Sequence, residues 1–282
     1  MPSITVPGGT TPAHEIHYEI HGEGEPVVLV AGSGSPGRVW HPHQVPALTA
    51  AGYQAITFDH RAAAPSGTDE IHLADLVTDT QHLVSALQLT PCKLIGVSLG
   101  AQVVQELLLA APGLATQAVV AATRGRPDGL GAAMARAERA LLENGVRLPT
   151  EYEAFARLTQ NLSPRTLANE TDTAQWLDMF EVAALSGGDA PHRTTGLSEN
   201  RLTAYQAIRT PLLALGFADD VLAPARLSRE VAEAVPAGRY AELPACGHLG
   251  HLERPAAFNE AVLRFFAETP AVPHPSGGTH AH

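Results

Sequence analysis

Along the chain, apolar positions switch between a period of two, short unbroken runs and helical spacing. Over 14–21 the residues alternate: Ile16, Tyr18 and Ile20 share one face, and Glu15, His17, Glu19 and His21 share the other. That period predicts a half-exposed strand, paired with residues 4–6 as an antiparallel hairpin. Residues 27–30 are continuously apolar, as a strand covered on both faces is. Residues 45–51 read as a short helix ending at Gly52, and 55–58 as the next strand. Leu73, Leu76, Val77, Thr80, Leu83, Val84 and Leu87 then recur at helical spacing. The run Lys93-Leu94-Ile95 leads into Gly96 as a strand, a helical run covers 101–111, and 118–121 is strand again. Strands alternating with helices build a mostly parallel sheet with helices on both faces.

The alternation breaks after Thr123. Residues 124–128 are charged and punctuated by Gly and Pro, and 132–205 is helical in character. Helices are predicted over 132–144, closed by Gly145, and over 151–162, with Thr150 and Glu153 as a capping box. Ser163-Pro164 opens another short one, and 173–185 a last one before Gly187-Gly188 and a loop over 186–195. The sheet resumes at 211–217, followed by a helix over 225–235, a strand over 239–243 and a closing helix over 256–267. Residues 270–282 carry prolines, glycines and histidines without a core pattern and read as a disordered tail. The chain divides into a core over 1–123, a helical insertion over 124–206, a second part of the core over 207–268, and the tail over 269–282.

Composition narrows the function classes. The net charge is −11 and no run of Lys or Arg occurs, which argues against nucleic acid. No apolar segment is long enough to span a bilayer. The first nine residues lack the basic start and apolar run of a signal peptide, so a cytoplasmic protein is expected. Cys92 opens one strand and Cys246 follows the end of another. In a parallel sheet those are opposite ends, so two free thiols are expected.

Chemistry concentrates at Gly96-Val97-Ser98-Leu99-Gly100, a G-x-S-x-G pattern between an apolar run and a helix. A sharp strand-to-helix turn of this kind exposes a serine Oγ at the positive end of the helix, with glycines allowing the close approach. Serine needs a base and a group to orient that base. Two candidates follow later strands: Asp219-Asp220 after 211–215, and His248, in Ala245-Cys246-Gly247-His248, after 239–243. The order Ser, Asp, His differs from those of chymotrypsin-like and subtilisin-like enzymes. The acid is open by one residue: Asp219 keeps a Gly-x-x-Asp spacing, and Asp220-Val221-Leu222-Ala223-Pro224 has a D-x-x-x-P form. His41 and His43 flank Pro42 with no carboxylate or thiolate near in sequence, a poor ligand set, so no metal is expected.

With these motifs the chain resembles the α/β-hydrolase superfamily over nearly its whole length, to about residue 267. Ala31-Gly32-Ser33-Gly34 is similar to the family's oxyanion loop, Phe58-Asp59-His60-Arg61 through Ser66 to its D-x-R-G-x-G-x-S loop, and Gly247-His248 with Glu253-Arg254-Pro255 to its closing motif. The chain departs from the pattern at Ala31, where the family carries a histidine that braces the loop, and at Ala62 and Ala64, where it carries glycines. The resemblance implies an α/β-hydrolase fold: a mostly parallel eight-stranded sheet, helices on both faces and an inserted helical lid. It implies a triad of Ser98, His248 and Asp220, an oxyanion hole from the backbone N–H groups of Ser33 and Leu99, and no cofactor. Substrate contacts are expected from Gly34, Trp40, Trp176, Phe180 and His251.

The expected activity is metal-free hydrolysis of an ester, thioester or related carbonyl compound, a small molecule or a carrier-bound acyl group. The alternative is elimination or cyclisation by the same triad on a specialised-metabolite intermediate. A non-catalytic binding protein on this fold is disfavoured because all three triad positions are intact. Neither nucleic acid nor membrane is an expected partner, and the chain is expected to be a monomer or homodimer.

Overall fold

The unbroken apolar runs become the middle of the sheet. In the computed structural model, which describes residues 1–7, 13–61, 71–185 and 194–268, eight strands form one sheet. They are β1 (Ser3–Val6), β2 (His14–His21), β3 (Glu25–Val30), β4 (Tyr53–Phe58), β5 (Cys92–Val97), β6 (Ala115–Ala121), β7 (Leu212–Phe217) and β8 (Gly238–Leu243). Their spatial order is β1-β2-β4-β3-β5-β6-β7-β8. Every residue of β5 and of β7 is buried, as expected for strands roofed on both sides. The expected hairpin is present, with Ile4 opposite Ile16, and β2 also runs antiparallel to β4. All other neighbours are parallel.

Helices cover both faces. On one lie α2 (Leu73–Ala86), α3 (Leu99–Ala110) and α9 (Ala225–Ala234), whose Leu83, Val84, Val103, Val104, Leu107 and Val231 share a core with Val28, Leu94 and Val120. On the other lie α1 (Gln44–Ala50) and α11 (Pro255–Ala267), packed through Leu48, Phe258, Val262 and Phe265 onto Leu29, Ile95 and Leu215. Between β6 and β7 run α4 (Gly129–Glu143), α5 (Thr150–Asn161), α6 (Pro164–Leu167), α7 (Glu170–Leu185) and α8 (Leu202–Tyr205). The insertion has a small core of its own, Ala154, Leu158, Leu162 and Phe180, with Trp176, Leu177 and Leu249 against it. The remaining helical segments are a 3₁₀ turn at Gly37–Trp40 and α10 (Gly250–Glu253).

Two local details differ from the sequence reading. Pro149 takes the N-cap position of α5, so Thr150 lies inside the helix and forms no capping box. Glu153 instead pairs with Arg157 one turn on, at 3.0 Å. A pair of two-residue parallel strands, Ile71–His72 and Thr194–Thr195, was not foreseen. The Ser163-Pro164 start is as expected: the Ser163 hydroxyl accepts the Thr166 N–H and Pro164 is the first helical residue. Ala62, Ala64 and Ser66, the Gly187-Gly188 helix end and the tail over 269–282 lie outside the described residues. Among the described residues, no helix is long and apolar enough to cross a membrane. Cys92 and Cys246 are free and buried, and burial pushes both thiols up to about 12.

Candidate active site

The site begins where β5 turns into α3. Ser98 has φ 57° and ψ −119°, a conformation that a non-glycine residue adopts only where surrounding structure enforces it. The enforcement is visible at both glycines. A Cβ on Gly96 would stand 2.4 Å from the Gly100 carbonyl oxygen, and one on Gly100 would stand 2.1 Å from that of Val30. The Ser98 N–H donates to Ala121 O at 2.9 Å, which ties the turn to β6. The hydroxyl therefore sits at the N-terminal end of α3, in the field of its unpaired N–H groups.

Asp220 lies in the loop after β7 and is nearly fully buried. Its Oδ1 accepts the N–H groups of Leu222 and Ala223, each at 2.8 Å. Those two amides aim the other oxygen at His248, whose Nδ1–H donates to Oδ2 at 2.8 Å. With the Nδ1 proton committed to a carboxylate, Nε2 carries the lone pair and accepts from Ser98 Oγ, again at 2.8 Å. Asp219 faces elsewhere: its N–H donates to Cys246 O at 3.0 Å and joins the acid loop to the histidine loop. Of the two aspartates, Asp220 is the one whose carboxylate is seen against His248.

The loop carrying Ser33 lies against the serine. A Cβ on Gly32 would come within 3.4 Å of Ser98 Cβ. The Ser35 N–H donates to Gly32 O at 3.2 Å, and Gly34 takes φ 67°, so this is a tight turn that leaves Ser33 exposed. The bracing that Ala31 cannot supply comes from His60, which the sequence reading assigned no role. Its Nε2–H donates to the carbonyls of Ala31 and Gly32, at 3.2 and 3.3 Å. Burial holds its pKa below the usual histidine value. The only signal in the sequence was the position of His60 in the Asp59-x-Arg loop.

A second residue missed in its role is Glu253, part of the closing motif. Its buried carboxylate accepts from Ser163 N, Ser163 Oγ and Thr166 Oγ1 of the insertion, and from Gly247 N beside His248, at 2.6 to 3.0 Å. Leu249 N–H also donates to Asn161 O, so the end of α5 is clasped onto the histidine loop. Glu253→Ala would strand four buried donors. It is expected to lower unfolding free energy by about 3–5 kcal/mol in denaturant titrations.

The expected substrate contacts fare differently. Gly34 stays in the turn beside Ser98, but Trp40 and His251 are buried against each other, ring centroids 5.2 Å apart, in the core under α1 and α11. Phe180 lies in the insertion's own core and Trp176, half-buried, stacks on it at 5.8 Å. These four aromatic rings follow the demand for apolar burial, which periodicity cannot distinguish from a pocket wall. For His251, burial, then the nearby His248 and His43, push the pKa down to about 3. Unfolded, this imidazole binds a proton below about pH 6.5; folded, it does not until near pH 3. Stability is therefore lost as pH falls through that window, by up to about 1.4 kcal/mol per pH unit from this group. Denaturant titrations from pH 7 to 4 should show the loss, and His251→Phe should flatten it.

The profile of the alpha/beta hydrolase family matches residues 27–261. A Mycobacterium tuberculosis protein that bears the name non-heme bromoperoxidase BpoC is 44% identical over 263 residues, covering 90% of this chain and 98% of its own. Its crystal structure superposes with a TM-score of 0.83, covering 91% of this chain and 97% of that one. An Azorhizobium caulinodans protein named as a carbamate hydrolase, RutD, is 30% identical, covering 90% of this chain and 96% of its own.

Proposed function

This chain belongs to the alpha/beta hydrolase family, and on that premise we propose that it is a serine hydrolase acting on an ester, thioester or related carbonyl compound. The observation that carries this reading is the continuous relay Ser98–His248–Asp220, with both links at 2.8 Å, at the tip of a strained strand-to-helix turn. Relatives named as enzymes support it. Ser98 Oγ attacks the carbonyl carbon while His248 Nε2 takes its proton. The oxyanion lies against the N–H groups of Leu99 and Ser33. The C–O or C–S bond breaks as the imidazolium returns the proton to the leaving group. Water, deprotonated by the same imidazole, then attacks acyl-Ser98 and releases the acid.

The name of the mycobacterial relative favours a second use of the same intermediate. Hydrogen peroxide in place of water would release a peracid, which can oxidise bromide without a metal. The carbamate-hydrolase relative points to an N-linked carbonyl, C–N rather than C–O cleavage by the same steps.

The test is intact mass after treatment with a fluorophosphonate probe. One adduct per chain, absent in Ser98→Ala, is the expected result. Absence of an adduct on folded protein would overturn the nucleophile assignment. An unsaturated product formed without incorporation of solvent oxygen would redirect the site to elimination.

A further inference from the structure

The side chains of Glu19, His21 and His41 converge outside the triad. Glu19 and His21 are two apart on β2 and so project from the same face of the sheet. His41 follows the 3₁₀ turn that carries Trp40. The Glu19 carboxylate lies 3.8 Å from the Nε2 of His21 through one oxygen and 3.8 Å from the Nε2 of His41 through the other. One ligand atom from each residue falls within 4.8 Å of the other two, and the two imidazoles meet edge to face. All three side chains are about 30% exposed. A second observation points the same way. The His21 Nε2 atom is sequestered from solvent and makes no hydrogen bond among the described residues, an arrangement that costs free energy unless a partner arrives. The Nε2 of His41 has Thr57 Oγ1 at 3.2 Å, a hydroxyl able to donate to the imidazole lone pair that a metal would take.

We propose that Glu19, His21 and His41 bind a divalent transition-metal ion of the zinc class. Two imidazoles and one carboxylate are a donor set that zinc favours, with the fourth position left to water. Tetrahedral coordination at about 2.0–2.2 Å brings ligand atoms to about 3.3–3.5 Å of one another, so ligand atoms that now lie within 4.8 Å need to close by up to about 1.4 Å. The ion would tie β2 to the turn that carries Trp40. His41-Pro42-His43 lacked a carboxylate in sequence; the alternation of β2 supplies one, together with the second imidazole.

The test is zinc titration of the full chain in competition with a chromogenic chelator, with thermal unfolding in parallel. Wild type is expected to bind with a raised Tm. Glu19→Gln, which keeps volume at a half-exposed position, and His21→Ala and His41→Ala are each expected to weaken binding at least about tenfold, the loss that even outer partners of a metal site commonly produce. Joint replacement of His274, His280 and His282 in the tail is expected to leave the affinity and the Tm shift in place. Wild-type affinity in folded Glu19→Gln, or loss of binding only in the tail variant, would overturn the assignment. If His21→Ala or His41→Ala fails to fold, Glu19→Gln decides.

Discussion

Ser98→Ala is expected to lower kcat by about 10⁵- to 10⁶-fold toward an activated aryl ester, with little change in KM. The size follows from the removal of covalent catalysis together with the first proton transfer that His248 performs. His248 Nε2 accepts from Ser98 Oγ, so without that oxygen the imidazole has no side-chain nucleophile to activate and no acyl-enzyme forms. The same argument makes the effects non-additive. His248→Ala alone should cost nearly as much, and the double variant Ser98→Ala with His248→Ala should be no slower than Ser98→Ala by more than a few-fold. A double variant slower by the product of the single effects would mean that the two side chains act in separate steps. The fold should survive: alanine removes one oxygen, and the φ of 57° is imposed by the contacts at Gly96 and Gly100 rather than by the serine side chain.

Asp220→Asn is expected to lower kcat by about 10⁴-fold, again with KM nearly unchanged. The asparagine carbonyl can keep the Leu222 and Ala223 N–H bonds that Asp220 Oδ1 now accepts. That leaves the amide NH₂ facing His248 Nδ1, and two donors cannot meet. The imidazole must then carry its proton on Nε2, which removes the lone pair that takes the Ser98 proton. The loss therefore acts through the tautomer and through the missing negative charge beside the developing imidazolium. Asp219→Asn should leave kcat within a few-fold of wild type, because that residue's contact to the histidine loop is made by its backbone N–H. Measuring kcat for the two variants side by side separates a triad acid from a loop residue; equal losses would return the assignment to open.

Coupling between the insertion and the site is built from long-range contacts. Glu253 joins Ser163 and Thr166 to the Gly247 amide, and Gly247 itself packs so close to the end of α5 that a Cβ would stand 2.5 Å from Asn161 O. A shift of α5 and α6 would therefore be felt at His248 through a rigid backbone contact. This gives the insertion a structural part in holding the base, separate from any contact it makes with substrate.

Periodicity and local motifs were enough to read the framework of this protein. Apolar runs such as 27–30 and 212–215 became covered strands, and the alternation over 14–21 became a half-exposed one, because a period of two puts apolar side chains on one face of an extended chain. The Gly96–Gly100 turn was legible for a similar reason: only glycine tolerates the carbonyls of Gly100 and Val30 at such range. The order of serine, aspartate and histidine at strand ends placed all three at one edge of a parallel sheet. Where the answer depended on which side chains meet across the fold, only the tertiary structure decided. Two backbone amides hold the Asp220 carboxylate against His248, and His60 reached across from another loop to brace Ala31-Gly32. Trp40, His251 and Phe180 are buried and Trp176 packs half-buried against Phe180, and Glu19 and His21 came to lie beside His41. Backbone period is a local property of the chain, whereas hydrogen-bond partners, buried polar atoms and ligand clusters are set by contacts between residues tens to hundreds of positions apart.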